Sequence, residues 1–196
     1  MLPIAGASGA RAYRFASARG FRLGTLRFPY PLAWHTERGT HRIAPPRAEA
    51  PVLTGGLTRL PAEQVFDIVV MPGRSGAAAG SIVLPAPAFV DGSGAEPDWA
   101  ALHAQLTCTA RHGFALALTQ AMFELPAYAW QIERVAYELA VSRRTLQMAL
   151  FRECYSFNAA LLRCRRLNRL LHGAGEGGGG SSGGYGGYGS VFGPHA

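Results

Sequence analysis

Over the first 92 residues, apolar positions come in short bursts. Arg11–Phe15, Phe21–Phe28, Val52–Leu60, Val65–Met71 and Ser81–Leu84 read as strands, with Gly20, Pro29, Pro31, Pro45, Pro46, Pro72, Gly73 and Pro85 as punctuation. The alternation is imperfect, since Phe21, Leu23, Thr25 and Arg27 would share one strand face. From Glu96 the period changes. Pro97 and Asp98 suit a helix start, with Trp99, Leu102 and Leu106 on one stripe. After Gly113, Phe114, Leu118 and Met122 recur four apart until Leu125-Pro126 closes the run.

The clearest signal follows. Ile132, Val135, Ala136 and Leu139 stand at i, i+3, i+4 and i+7, which predicts a helix over Gln131–Ala140. Ala136 is small where a second helix would cross closely. Ser142 is placed to cap a second helix over Arg143–Glu153, in which Leu146 and Leu150 point inward with Ala149 beside them. A third helix is expected over Phe157–Leu171, with Phe157, Ala160, Leu161, Cys164 and Leu171 as its apolar stripe. Two helices joined by so short a turn describe a helix-turn-helix, whose second helix enters the major groove of DNA.

After His172 the sequence turns to glycine. Glycine loses much backbone entropy on ordering and offers nothing to bury, so residues 173–196 are expected to form a disordered, flexible tail, with Tyr185, Tyr188 and Phe192 as parts of a spacer. The fold class expected is α+β: a small β-rich region over 1–95, an all-α helix-turn-helix (homeodomain-like) domain over 96–172, and the Gly-rich tail. The helix-turn-helix itself occupies 131–153.

Charge sharpens this picture. The formal net charge is +7, every basic residue is Arg, and eight Arg against three Glu between Gln131 and His172 supply five of the surplus charges. A basic cluster suits an acidic polymer, and the planar guanidinium fork suits phosphate and guanine. With Leu146 and Leu150 inward, Arg144, Thr145, Met148 and Arg152 turn outward and Phe151 lies at the edge. Arg143 and Arg152 suit phosphates; Arg144, Thr145 and Gln147 suit base edges. Arg163, Arg166 and Arg169 either touch the DNA backbone or solvate their helix. The partner expected is double-stranded DNA.

Other chemistries find little support. Ser75 within Gly73–Gly80 is not in a G-x-S-x-G elbow, and that glycine-rich stretch has no P-loop Lys. His35 and His41 read as ordinary surface histidines, since no carboxylate–His cluster accompanies them. Cys108, Cys154 and Cys164 form no CxxC pair, and their odd number fits a reduced cytoplasmic protein, with Cys154 and Cys164 as structural residues among apolar neighbours. Neither an enzyme, a cofactor nor a metal is expected. The N-terminus lacks a basic n-region, and no apolar run approaches the roughly 20 residues of a membrane span. A soluble, cytoplasmic chain with no membrane partner is expected.

The segment IERVAYELAVSRRTLQMALFRECYSF resembles the first helix-turn-helix of the AraC/XylS family of transcription regulators, whose motif reads roughly A-x-x-L-G-x-S-x-R-T-L-Q-x-x-L, then a Gly and S-F. Ala136, Leu139, Ser142, Arg144, Thr145, Leu146, Gln147, Leu150, Ser156 and Phe157 fall in register. The helix that follows resembles the family's linker helix, whose Arg corresponds to Arg165 or Arg166. The resemblance implies a DNA-binding domain of AraC type and a sequence-specific transcription regulator. It also implies two helix-turn-helix units, but here glycine begins where the second would start. Ala140 and Cys154 stand in place of turn glycines, and Met148 and Phe151 where relatives carry basic or polar residues. Residues 1–95 are expected to be a degenerate sensor or dimerisation region, supporting a homodimer; the sequence names no effector ligand. The alternative is a protein-interaction module, a remnant regulator that modulates a full-length partner without reading DNA.

Overall fold

The structure, a computed structural model, describes residues 10–44, 52–53, 56–85, 96–108, 113–172 and 192–194. The chain divides into two compact units, one of residues 1–86 with 169–196, the other of residues 87–168.

The first unit is built of strands β1 (Ala10–Ser17), β2 (Phe21–Arg27), β3 (Leu32–Arg38), β4 (Thr40–Ala44), β5 (Val52–Leu53), β6 (Gly56–Leu60), β7 (Val65–Met71), β8 (Ala78–Pro85) and β9 (Phe192–Pro194). They form a five-stranded sheet of order β6-β3-β8-β1-β9 and a four-stranded sheet of order β2-β7-β4-β5. Every pairing in them is antiparallel. Alternation is cleanest in β7, where Phe66, Ile68 and Val70 are buried and the side chains between them are less so. The sheets pack face to face. Phe15 of β1 meets Phe21 of β2 at 5.7 Å and His41 of β4 at 5.5 Å between ring centroids.

Two glycines allow close approaches within this sandwich. Gly39 carries the chain from β3 in one sheet to β4 in the other at φ +84°, and a Cβ there would lie 2.5 Å from the Met71 carbonyl oxygen. At Gly80 of β8 a Cβ would come 2.5 Å from the His35 carbonyl oxygen and 3.0 Å from the His41 ring. In β2 the register slips between Leu23 and Leu26, leaving Thr25 at φ +57°. The Thr25 N–H donates to Asp67 Oδ1 at 2.7 Å, and that bond holds the Asp67 carboxyl below its ordinary pKa.

His41 departs from expectation. It is fully buried rather than a surface histidine. Trp34 Nε1–H donates to its Nδ1 at 3.0 Å, so the ring proton belongs on Nε2, 3.0 Å from the Arg38 carbonyl oxygen. Thr36 Oγ1 lies 3.1 Å from the same Nδ1. Burial pushes the His41 pKa down, against a smaller upward pull from the Arg38 carbonyl. His35, on the other strand, is exposed.

The second unit holds α1 (Trp99–Thr107), α2 (Phe114–Glu124), α3 (Ile132–Glu138), α4 (Arg143–Arg152) and most of α5 (Phe157–His172). Asp98 caps α1 by accepting from the Ala101 N–H at 2.9 Å. The first turn of α2 has no cap of its own; the Glu153 carboxylate accepts from the Ala115 N–H at 3.2 Å instead. α5 is tied to α2 by two buried side chains. Cys164 Sγ donates to the Thr119 carbonyl oxygen at 3.4 Å, and Asn168 Nδ2 to that of Phe123 at 2.9 Å. Trp99, Tyr128 and Trp130 form an aromatic cluster, the last two 4.8 Å apart, with the Arg134 guanidinium 4.8 Å from the Tyr128 ring.

The α+β class expected from the sequence, a small β-rich region, an all-α homeodomain-like domain and a disordered tail, does not stand. The β part is a two-sheet sandwich with added strands β3 and β4, and Phe192–Pro194 of the tail forms β9 against β1. Edge pairing runs through backbone N–H and C=O groups, so a tail with no apolar pattern can still add a strand. The rest of the tail, with Tyr185 and Tyr188, lies outside the described residues.

Candidate nucleic-acid interface

The helix-turn-helix is assembled from local signals. In α3, Val135, Ala136 and, one residue past its end, Leu139 are buried, while Ile132 is only partly so. The helix ends in a double closure: the Ala140 N–H donates to the Tyr137 carbonyl at 3.0 Å and the Val141 N–H to that of Ala136 at 2.9 Å. These are the two bonds of a Schellman turn, which needs a left-handed residue between them. Ala140 supplies it at φ +52°.

Ser142 then opens α4, its Oγ accepting from the Thr145 N–H at 3.0 Å. Leu146 and Leu150 are buried. The end of α4 repeats the device, with Cys154 N–H to Phe151 O at 2.9 Å, Tyr155 N–H to Leu150 O at 2.9 Å, and Cys154 at φ +60°. Cys154 is exposed and does not lie among apolar neighbours, its place being set by the turn, whereas Cys164 is buried as expected. Phe157, Ala160, Leu161, Cys164, Leu167 and Leu171 form the buried stripe of α5.

The outward face of α4 brings together most of the residues singled out in the sequence. Arg143, Arg144, Thr145, Gln147, Met148, Phe151 and Arg152 are all exposed. At about 100° per residue, Met148 lies opposite the Leu146–Leu150 seam, with Arg144 one turn before it and Arg152 one turn after. Not all of these side chains are equally available. Arg143 Nη1 sits 2.8 Å from Glu133 Oε1, an exposed ion pair linking α3 to α4. The Thr145 hydroxyl is 2.8 Å from that of Ser142 and serves the cap. Arg144 and Arg152 make no ion pair among the described residues.

On α5, Arg165, Arg166 and Arg169 are exposed, but Arg163 is half-buried and lies over Tyr155, 5.6 Å from the ring centroid. Arg163 is therefore placed for packing. Glu153 and Asn168 carry no local signature in the sequence, because the α2 groups they bind stand 38 and 45 residues away.

Among the described residues no three His, Cys, Asp or Glu side chains are grouped to hold a metal ion, and no helix is long and apolar enough to cross a membrane. The sandwich carries an open concavity of about 490 Å³, lined by Leu32, Leu60 and Val83 among others, with Arg59 as its charged member.

No family model and no curated protein sequence matches the chain. Solved structures do. A structure of ToxT from Vibrio cholerae is similar at a TM-score of 0.48 and 9% identity, covering 87% of this chain and 86% of that one. A cupin superfamily protein from Desulfitobacterium hafniense DCB-2 is similar at a TM-score of 0.34 and 11% identity, over 44% of this chain and 75% of that one. The polyketide cyclase RemF from Streptomyces resistomycificus is similar at a TM-score of 0.34 and 15% identity, over 41% of this chain; the match spans 56% of RemF. All three lie below a TM-score of 0.5, and it is the chain's own residues that bear on what its helices do.

Proposed function

We propose that the chain is a sequence-specific DNA-binding transcription regulator of AraC type that places α4 in the major groove. The observation that carries this reading is the outward face of α4: two guanidiniums without ion-pair partners among the described residues, one turn on either side of Met148, on a helix held from behind by Leu146 and Leu150. Arg144 and Gln147 reach base edges, and Arg152 meets phosphate. Arg143 exchanges Glu133 for a phosphate on binding, Thr145 acts mainly through the cap, and Arg166 touches the neighbouring backbone. On this reading the protein works in the cytoplasm, as a binder and not an enzyme.

One helix with its flanking Arg neutralises about three to five phosphates, so log affinity against log salt falls with a slope of roughly −3 to −5. A single module buries little surface, and two copies joined through residues 1–95 on half-sites one helical turn apart supply the specificity. Titration of wild type, Arg144→Ala and Arg152→Ala against selected and random duplexes at two salt concentrations tests this. Arg144→Ala relaxes base preference, and Arg152→Ala weakens every duplex alike. Binding that ignores salt, or is untouched by both substitutions, overturns the proposal. A second reading, a protein-interaction module, is favoured by the exposed Tyr137 and Leu162, which lie off the reading face.

A further inference from the structure

On the outward face of α4 the two largest apolar side chains are turned to water. Met148 is 45% exposed and Phe151 73%. Scattered exposed apolar residues need no explanation, but these two are neighbours at i and i+3 on the face opposite the core seam. They are also bracketed by Arg144 and Arg152, neither of which has an ion-pair partner among the described residues. The patch is therefore apolar in the middle and cationic at its ends, which suits the floor and walls of a DNA groove: phosphates along the rims, base edges between them. Of the base edges displayed in the major groove, the C5-methyl of thymine is the apolar group; the others present hydrogen-bond donors and acceptors. A phenyl ring offers those donors and acceptors no partner and a thioether only a weak acceptor, whereas both pack well on a methyl.

We infer that Met148 and Phe151 are specificity-determining residues that read thymine methyl groups, so that the preferred sites carry T·A pairs beneath the middle of α4. This rests on the DNA-binding reading above and names what that face selects. Met148 stands at the centre of the face and reaches deepest; Phe151, nearer its edge and broader, covers a methyl on the adjacent step. Arg152 on phosphate sets the register, and Arg144 keeps its base-edge contact one turn before Met148. An acidic protein surface would match the charges, but would not distinguish one methyl group from its absence.

The test uses the full chain. A random duplex pool is selected for binding, and the best sequence is remade with each thymine replaced in turn by deoxyuridine, which keeps every hydrogen-bonding group and removes only the methyl. Wild type should lose about fourfold in affinity at one or two positions, the effect of one buried methyl. Met148→Ala and Phe151→Ala should each erase that loss at one position, binding the thymine and uracil duplexes equally there. Both side chains are exposed, so the variants should melt with wild type. Arg152→Ala should weaken both duplexes and keep their ratio. If wild type binds the two duplexes equally while keeping its salt-dependent affinity, methyl reading is wrong and DNA binding stands. If the alanine variants keep the wild-type ratio, the reading residues lie elsewhere. If no duplex is retained at any salt concentration, the DNA-binding reading falls and this one with it.

Discussion

The carboxylate of Glu153, just past the end of α4, accepts a hydrogen bond from the backbone N–H of Ala115 in the first turn of α2. The first turn of any helix has N–H groups without partners, and a negative charge there also meets the positive end of the helix dipole. Gly113 offers α2 no side chain for this, so the cap is borrowed from a residue 38 positions later.

Removing that carboxylate should therefore loosen α2 from a distance. Glu153→Ala is expected to lower stability by about 1 kcal/mol, the usual worth of a cap. Urea unfolding checks it; an unchanged midpoint would mean water serves the Ala115 N–H equally well.

The two Schellman turns carry opposite expectations. Ala140 and Cys154 hold left-handed backbone at φ +52° and +60°, where a Cβ is strained. Ala140→Gly and Cys154→Gly should each stabilise the chain by about 0.5–1 kcal/mol, the relief of strain exceeding glycine's extra entropy in the unfolded state. The readout is thermal melting of each variant and of the pair. A fall in melting temperature for both would show that the turns are not strained.

Acid should weaken the sandwich through His41. Its pKa in the folded chain lies below the ordinary 6.5, because burial disfavours the charged ring. As pH falls, the unfolded chain takes up the proton first. The contribution to stability is thus complete above about 6.5 and is lost as pH falls through the folded-state pKa. His41→Gln removes the titration, so the stability difference between wild type and variant should shrink between about pH 7.5 and 5.5. A difference that stays constant with pH would show that His41 does not titrate on unfolding.

Asn168 should tolerate no apolar replacement. Its amide is buried and donates to the Phe123 carbonyl at 2.9 Å and to the Cys164 carbonyl at 3.1 Å. Asn168→Leu removes the donor to the Phe123 carbonyl and should cost about 1–3 kcal/mol. Hydrogen exchange across Phe114–Glu124 would localise the damage; loss of protection elsewhere alone would contradict it.

How far the sequence speaks depends on how local each cause is. α3, α4 and α5 could be read because period, cap and turn lie within a few residues of one another, as with Ser142 and Thr145. The outward face of α4 followed directly from Leu146 and Leu150. β3 and β4 were missed because Pro29 and Pro31 precede them, and because His35, Glu37, Arg38 and Arg42 obscure the buried Leu32, Trp34 and Thr36. His41 looked polar and therefore exposed; its burial is made tolerable by partners on both ring nitrogens, Trp34 and Thr36 at Nδ1 and the Arg38 carbonyl at Nε2. In the candidate interface, residue type suggested contacts for Arg143, Thr145 and Arg163, yet Glu133, Ser142 and Tyr155 already engage them.

β9 bears on how the molecule behaves in a crowd. β1 is an eight-residue strand, and β9 is the last member of its sheet, pairing Phe192 with Phe15 and Pro194 with Tyr13. A three-residue border containing glycine and proline is a poor template for another chain, whereas a bare β1 would present an open row of donors and acceptors. The far end of the glycine-rich segment thus acts as a seal. Trimmed away for convenience, it would leave a sheet able to recruit strands from its neighbours, and the first symptom would be loss of solubility at high concentration with the helices intact.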